Sequence, residues 1–241
     1  MQRVKGNSNM EEKGVRGLAE VIKLSDENLR VDFEDNKGSF NIKVEEDSIP
    51  ESFPFKVMKK DGKIKVSVTM NKDGNKILFA VPASGEYEAK FDKMVAAEGQ
   101  EPVAETKQGK KGKPYKQFAV LIEVLDKRWS GARYWYPMYP NFGQDEDGNL
   151  AVAGSGSGSD ALFDFLEATG VSQHLIPFSE NPLPEIQRIA QAEEKTFKII
   201  VNKGWIDMIV VPMNVDDAFG GDEEIGFTEQ QKDNVHPALV E

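Results

Sequence analysis

Histidine and cysteine decide early what this chain of 241 residues can do chemically: it has two imidazoles, His174 and His236, and no thiol at all. Disulfides, thiolate metal sites and thiol nucleophiles are therefore excluded. A Ser-His-Asp relay would have to use one of two isolated histidines, and a zinc site of ordinary composition lacks its ligands. Phosphate loops fail on spacing. GKKGKP (Gly109 to Pro114) lacks the Gly-Lys-Ser/Thr ending and precedes a strand pattern, and GSGSGS (Gly154 to Ser159) is not Gly-x-Gly-x-x-Gly. DEDGN (Asp145 to Asn149) sets its glycine too early for an EF-hand loop, and no glutamate follows at the right distance. Asp160, Asp164 and Glu167 stand at i, i+4 and i+7 of a predicted helix and offer carboxylates to one cation, but acids near a helix start are stabilised by the macrodipole without any metal. The expectation is no catalytic residue, no metal and no cofactor.

A basic and aromatic constellation carries more. Lys107, Lys110, Lys111, Lys113, Lys116, Lys127, Arg128 and Arg133 face only Glu123 and Asp126 between positions 107 and 133, a local charge of +6 in a chain of −11. Tyr115, Trp129, Tyr134, Trp135, Tyr136 and Tyr139 lie in or beside it. Single-strand binders need this pairing, because cations neutralise successive phosphates and exposed rings stack on unpaired bases. The expected nucleic-acid site is Lys110, Lys111, Lys113, Lys116, Lys127, Arg128 and Arg133 on phosphates, with Trp129, Tyr134, Trp135 and Tyr136 as stacking platforms. Alternation along ARYWYPMY sends Tyr134 and Tyr136 to one face and Arg133 and Trp135 to the other, so one set is expected in the core.

The elements that position these residues are mostly strands. LRVDFE and SFNIKVE alternate apolar and polar around Asp-Asn-Lys-Gly, predicting a hairpin over Leu29 to Glu45. FKVMKK, KIKVSVTM and KILFAVP alternate again between Gly-containing turns. GEYEAKFDKMVAAEG reads as one long strand, residues 100–114 as a loop, and QFAVLIEVLD as a central strand because it is apolar on both sides. SDALFDFLEATG is a helix capped by Ser159 or Asp160 and ended by Gly170; a second short helix starts at Pro184. TFKIIVNKGWIDMIVVPM is a closing hairpin. The predicted organisation is a flexible arm over 1–20, a small antiparallel β unit over 21–82, a second β-rich domain over 83–213 with a flexible Gly/Ser-rich insertion at 144–159, and an acidic disordered tail over 214–241.

Composition bounds the function. The tail holds eight acids against Lys232 alone, so −7 of the −11 sits there and −4 remains for the body. Such a chain does not coat a polyanion with its whole surface, and any nucleic-acid site must be local. No run of 18 apolar residues and no signal-type segment occurs, so a soluble cytoplasmic protein without a membrane partner is expected, in the host cytoplasm if it is viral.

Residues Gly85 to Met213 resemble the phage-encoded OB-type single-stranded DNA-binding proteins of replication and recombination cassettes. The shared order is a strand after GEY, a charged loop, the YKQFAVLIEVLD strand, a turn into GARYWY, the helix ALFDFLEATG and the FKIIVNKGWIDMIVV hairpin. The resemblance implies a mainly β (α+β) fold with an OB-like five-stranded barrel, one or two short helices, and single-stranded DNA bound on the open face. It also implies an acidic tail that competes with DNA for the basic face and recruits replication or recombination proteins. Residues 20 to 82 have no counterpart in that pattern, and the tail ends in HPALVE, not in an acidic-aromatic tip. From a different class, two β units with flexible ends and no catalytic set also suit a virion structural or assembly protein that decorates or joins capsid or tail parts without binding nucleic acid.

Overall fold

Except for FKVMKK, whose start lies in a 3-10 turn over Pro54–Val57, the alternating stretches of the first third pair into one antiparallel sheet. Its strands are β1 (Lys13–Lys23), β2 (Asn28–Phe33), β3 (Ser39–Lys43), β4 (Lys63–Asn71) and β5 (Ile77–Pro82), in the order β3-β2-β1-β4-β5. The computed structural model describes residues 13–109, 112, 114–153 and 157–211. One face of the sheet buries Ala19, Val21, Leu29, Val31, Val66 and Val68, covered by Phe53, Phe55 and Met58 from the segment between β3 and β4. Residues 13–20, expected in a flexible arm, are the first eight of the 11 residues of β1, with Arg16 opposite Thr69 and Gly17 opposite Val68. Glycines and charges interrupt the apolar alternation there, and the partner strand supplies the burial that the segment's own pattern does not announce.

The second half is built from β6 (Gly85–Met94), β7 (Glu105–Gln108), β8 (Pro114–Val124), β9 (Arg133–Met138), a small hairpin of β10 (Phe142–Gln144) and β11 (Leu150–Val152), α1 (Ser157–Ala168), α2 (Leu183–Glu193), β12 (Thr196–Asn202) and β13 (Trp205–Val210). The sheet order is β13-β12-β6-β8, with β9 on β8 and the short β7 on the first residues of β8. The protein is thus mainly β with antiparallel sheets and two α-helices, as expected. β8 is the central strand: Phe118, Val120, Ile122 and Val124 point into the core, and β6 and β9 pair on either side of it. β13 lies against β9 and α1, but the ladders leave β13 and β9 as separate edges.

Three local expectations change. The loop over 100–114 contains β7, whose four residues are all exposed and so carry no apolar signal. The stretch 144–153, expected in a flexible insertion, is structured: Asp145 accepts from the backbone of Asp147 and Asn149 to close a turn between β10 and β11, and Leu150 is fully buried. Helix α1 starts at Ser157, so Ser159 does not cap it; its hydroxyl donates to the Ala153 carbonyl (3.0 Å) and accepts from Asn141 (3.2 Å). Gly170 does follow the helix with φ +76°, as a C′ glycine should.

The two sheets share a core. Phe53 meets Trp129 edge to face, the Tyr134 hydroxyl donates to the Pro82 carbonyl (2.7 Å), and the Gly204 amide donates to the Ala83 carbonyl (2.7 Å). Arg16 of β1 stacks over Trp205 with its guanidinium carbon 5.1 Å from the ring centre. The boundary expected near residue 82 is therefore a packed junction between consecutive strands.

Candidate nucleic-acid interface

Strand β8 separates the basic residues that the sequence places together. Lys116 lies near its start and Lys127 beyond its end, and at ~3.3 Å per residue the strand alone holds them roughly 25 Å or more apart. Lys107 and Lys116 lie at one end; Lys127, Arg128 and Arg133 lie at the other. Lys110, Lys111 and Lys113 lie outside the described residues.

Two of the four expected stacking platforms are core residues. Trp129 is buried at 6% exposure under Phe53, and Tyr134 at 2% is held by its bond to Pro82, so neither has a free ring face. The cause for Tyr134 is strand alternation, since Tyr134, Tyr136 and Met138 share the inner face of β9. Tyr136 is half-buried on that side, and burial, with the charges of Asp164 and Asp207 adding to it, pushes its phenol pKa up. Burial also raises the Tyr134 phenol strongly, with Tyr87 adding.

Trp135 opens outward at 43% exposure, directly opposite Leu121 of β8. The same outward face carries Tyr115, and Tyr139 just beyond β9 approaches it, the two rings 5.8 Å apart and tilted at 55°. Both tyrosines are exposed, at 38% and 42%. The pair follows from period two along YKQFAVL, which places Tyr115, Gln117, Ala119 and Leu121 on one face; that pattern alone identifies them. Between β7 and Trp135 lies a cleft of about 240 Å³ lined by Val95, Val103, Glu105, Lys107, Gln117 and Trp135, with Phe118 and Ala119 at its base. The β7 side of it was invisible in the sequence, since ETKQ has no strand pattern.

Charge on this face is mostly balanced within the fold. Arg133 pairs with Asp92 (2.8 Å), Lys90 with Glu123 (3.7 Å), Lys198 with Glu86 (2.9 Å) and Lys107 with Glu105. Arg128 pairs with Asp126 (3.6 Å). Among the described residues, Lys93, Lys116 and Lys127 make no ion pair. Lys116, one residue out of phase with Tyr115, turns to the opposite side and lines a cleft with Pro140, Phe142 and Phe178. Lys127 and Arg128 rim a larger groove of about 660 Å³ between residues 49–57 and the turn after β8, floored by Phe53 and Phe55.

The acidic residues of α1 are not gathered for a cation; no group of three His, Cys, Asp or Glu residues suited to a metal occurs among the described residues. Burial raises the Asp164 carboxyl above its ordinary range, with the neighbouring Asp160 charge adding to it. His174 Nδ1 stands 3.3 Å from Asp145 Oδ2, and that carboxyl is held low, mainly by the Asn149 amide, with His174 also contributing. Among the described residues no helix is long and apolar enough to cross a membrane. No family model, curated protein or solved structure matches the chain.

Proposed function

We propose that this protein binds single-stranded DNA on the outward face of β8 and β9, in replication or recombination of the phage type, and does no chemistry on it. The observation that carries the proposal is Trp135: an indole left 43% exposed on the outward face of β9, with the Tyr115–Tyr139 pair further along the same face. Rings in a row along extended strands match the spacing problem of a single strand, whose bases stack on aromatic faces irrespective of sequence. Lys93, Lys107 and Arg133 border the rings. Lys110, Lys111 and Lys113, outside the described residues, shortly precede Tyr115 in sequence, and in this proposal they add phosphate contacts.

The resemblance to OB-type single-strand binders supports the same reading; in it the strands of the antiparallel sheet, β6, β8, β9, β12 and β13, would take the five barrel positions, with α1 between the third and fourth in chain order. In this proposal the acidic tail weakens binding by competing electrostatically and offers a recruiting segment to partner enzymes. Fluorescence anisotropy with a labelled single-stranded oligonucleotide and its duplex tests the proposal. Single strands should bind at low salt in preference to duplex, and more tightly after deletion of the chain beyond Met213; absence of binding at micromolar protein would refute it.

A further inference from the structure

The cleft between β7 and Trp135 has features that general stacking does not need. Its walls are apolar yet open: Val95, Val103 and Trp135 are 42%, 54% and 43% exposed. At one edge stands the Gln117 amide, half-buried and with no hydrogen-bond partner among the described residues. Beside it, directly across the β7–β8 ladder, is the Glu105 carboxylate. At about 240 Å³ the space falls below the ~300 Å³ where drug-sized ligand sites begin, so its occupant is small. A flat apolar body with a hydrogen-bonding edge meets these conditions together.

We infer that this cleft is a base-reading subsite, which takes one unstacked base of the bound strand against Trp135 and favours adenine or cytosine over thymine. The inference rests on the single-strand reading above. An amide side chain offers a donor and an acceptor side by side and can turn to match either the amine-and-acceptor edge of adenine and cytosine or the reverse pair on thymine, so Gln117 holds a base edge and Glu105 sets the choice. The Glu105 carboxylate accepts only, so it suits that amine and opposes the carbonyl that thymine presents in its place. Lys107, paired with Glu105, sits where the phosphate of the same nucleotide would pass.

Equilibrium binding of the full chain to labelled dA, dC and dT homo-oligonucleotides of one length, at one salt concentration, tests this. A good bidentate contact is worth about 1 to 3 kcal/mol, so dA or dC should bind at least about fivefold more tightly than dT. Glu105→Gln, which replaces the acceptor-only carboxylate by an amide, should remove that difference, and Gln117→Leu should weaken binding of all three. Equal affinity for the three oligonucleotides, tightest binding to dT, or a preference that persists in Glu105→Gln would overturn the subsite and leave single-strand binding standing. Absence of binding to all three would defeat both.

Discussion

Trp129 stands edge-on to Phe53, ring centroids 6.1 Å apart and planes at 90°, and so fastens the turn after the central strand to the first sheet. A tryptophan in a run of basic residues looks like a nucleic-acid contact in the sequence. In the fold it is a rivet between two sheets. Its neighbour Tyr134 does the same one strand later, through its bond to the Pro82 carbonyl.

The roles of Trp129 and Trp135 are therefore opposite. Trp129→Ala should cost about 3 to 5 kcal/mol of stability, as large-to-small changes in a packed core do. Trp129→Phe should keep most of the stability and all of the oligonucleotide affinity. Urea unfolding and anisotropy on the same preparations check this, and a loss of affinity in a fully stable Trp129→Phe would return that ring to the binding face.

The hairpin between β12 and β13 touches the first sheet as closely as backbone allows. Gly204 has φ +76°, and a Cβ added there would meet the Ser67 Cβ at 2.2 Å. Gly204→Ala meets both the left-handed backbone penalty, about 1 to 2 kcal/mol, and a clash with a strand that has no room to retreat. The melting temperature should fall by several degrees, and Ser67→Gly should restore part of it; no recovery in the double variant would mean that the clash is not the cause.

Asp164 gives a pH signature. Burial first, and Asp160 second, raise its folded pKa above the unfolded value of about 3.9, so the fold disfavours its charged form. The contribution of this group to stability is complete below that unfolded value and is lost as pH rises through the raised one. Asp164→Asn should thus raise the melting temperature at pH 7 and leave it unchanged near pH 3. A gain of the same size at both pH values would show that ionisation of Asp164 is not involved.

Much of the fold was legible because its signals are local. Period two in LRVDFE, KIKVSVTM and FKIIVN gave β2, β4 and β12, and the Asn202-Lys203-Gly204 turn gave the last hairpin. QFAVLIEVLD read as central because both faces are covered in part. What escaped depends on partners distant in the chain. The start of β1 is a strand because β4 lies beside it, and β7 because it borders β8. The candidate site was half legible for the same reason. Proximity in sequence grouped Lys116 with Lys127, whereas strand geometry separates them, and it grouped Trp129 with Trp135, whereas only Trp135 faces out. Alternation along YKQFAVL, followed one step further, places Tyr115 and Gln117 with Trp135 on one face.

Oligonucleotide affinity of the wild type and of Trp135→Ala, measured across a salt series, tests the central claim most directly. The wild type should lose affinity linearly in log Kobs against log salt concentration, because the phosphate contacts release counterions. Trp135→Ala should keep that slope and the wild-type stability while binding about 1 to 3 kcal/mol more weakly, the worth of one stacked base. Wild-type affinity in Trp135→Ala, or no measurable binding of the intact chain at low salt, would contradict the account.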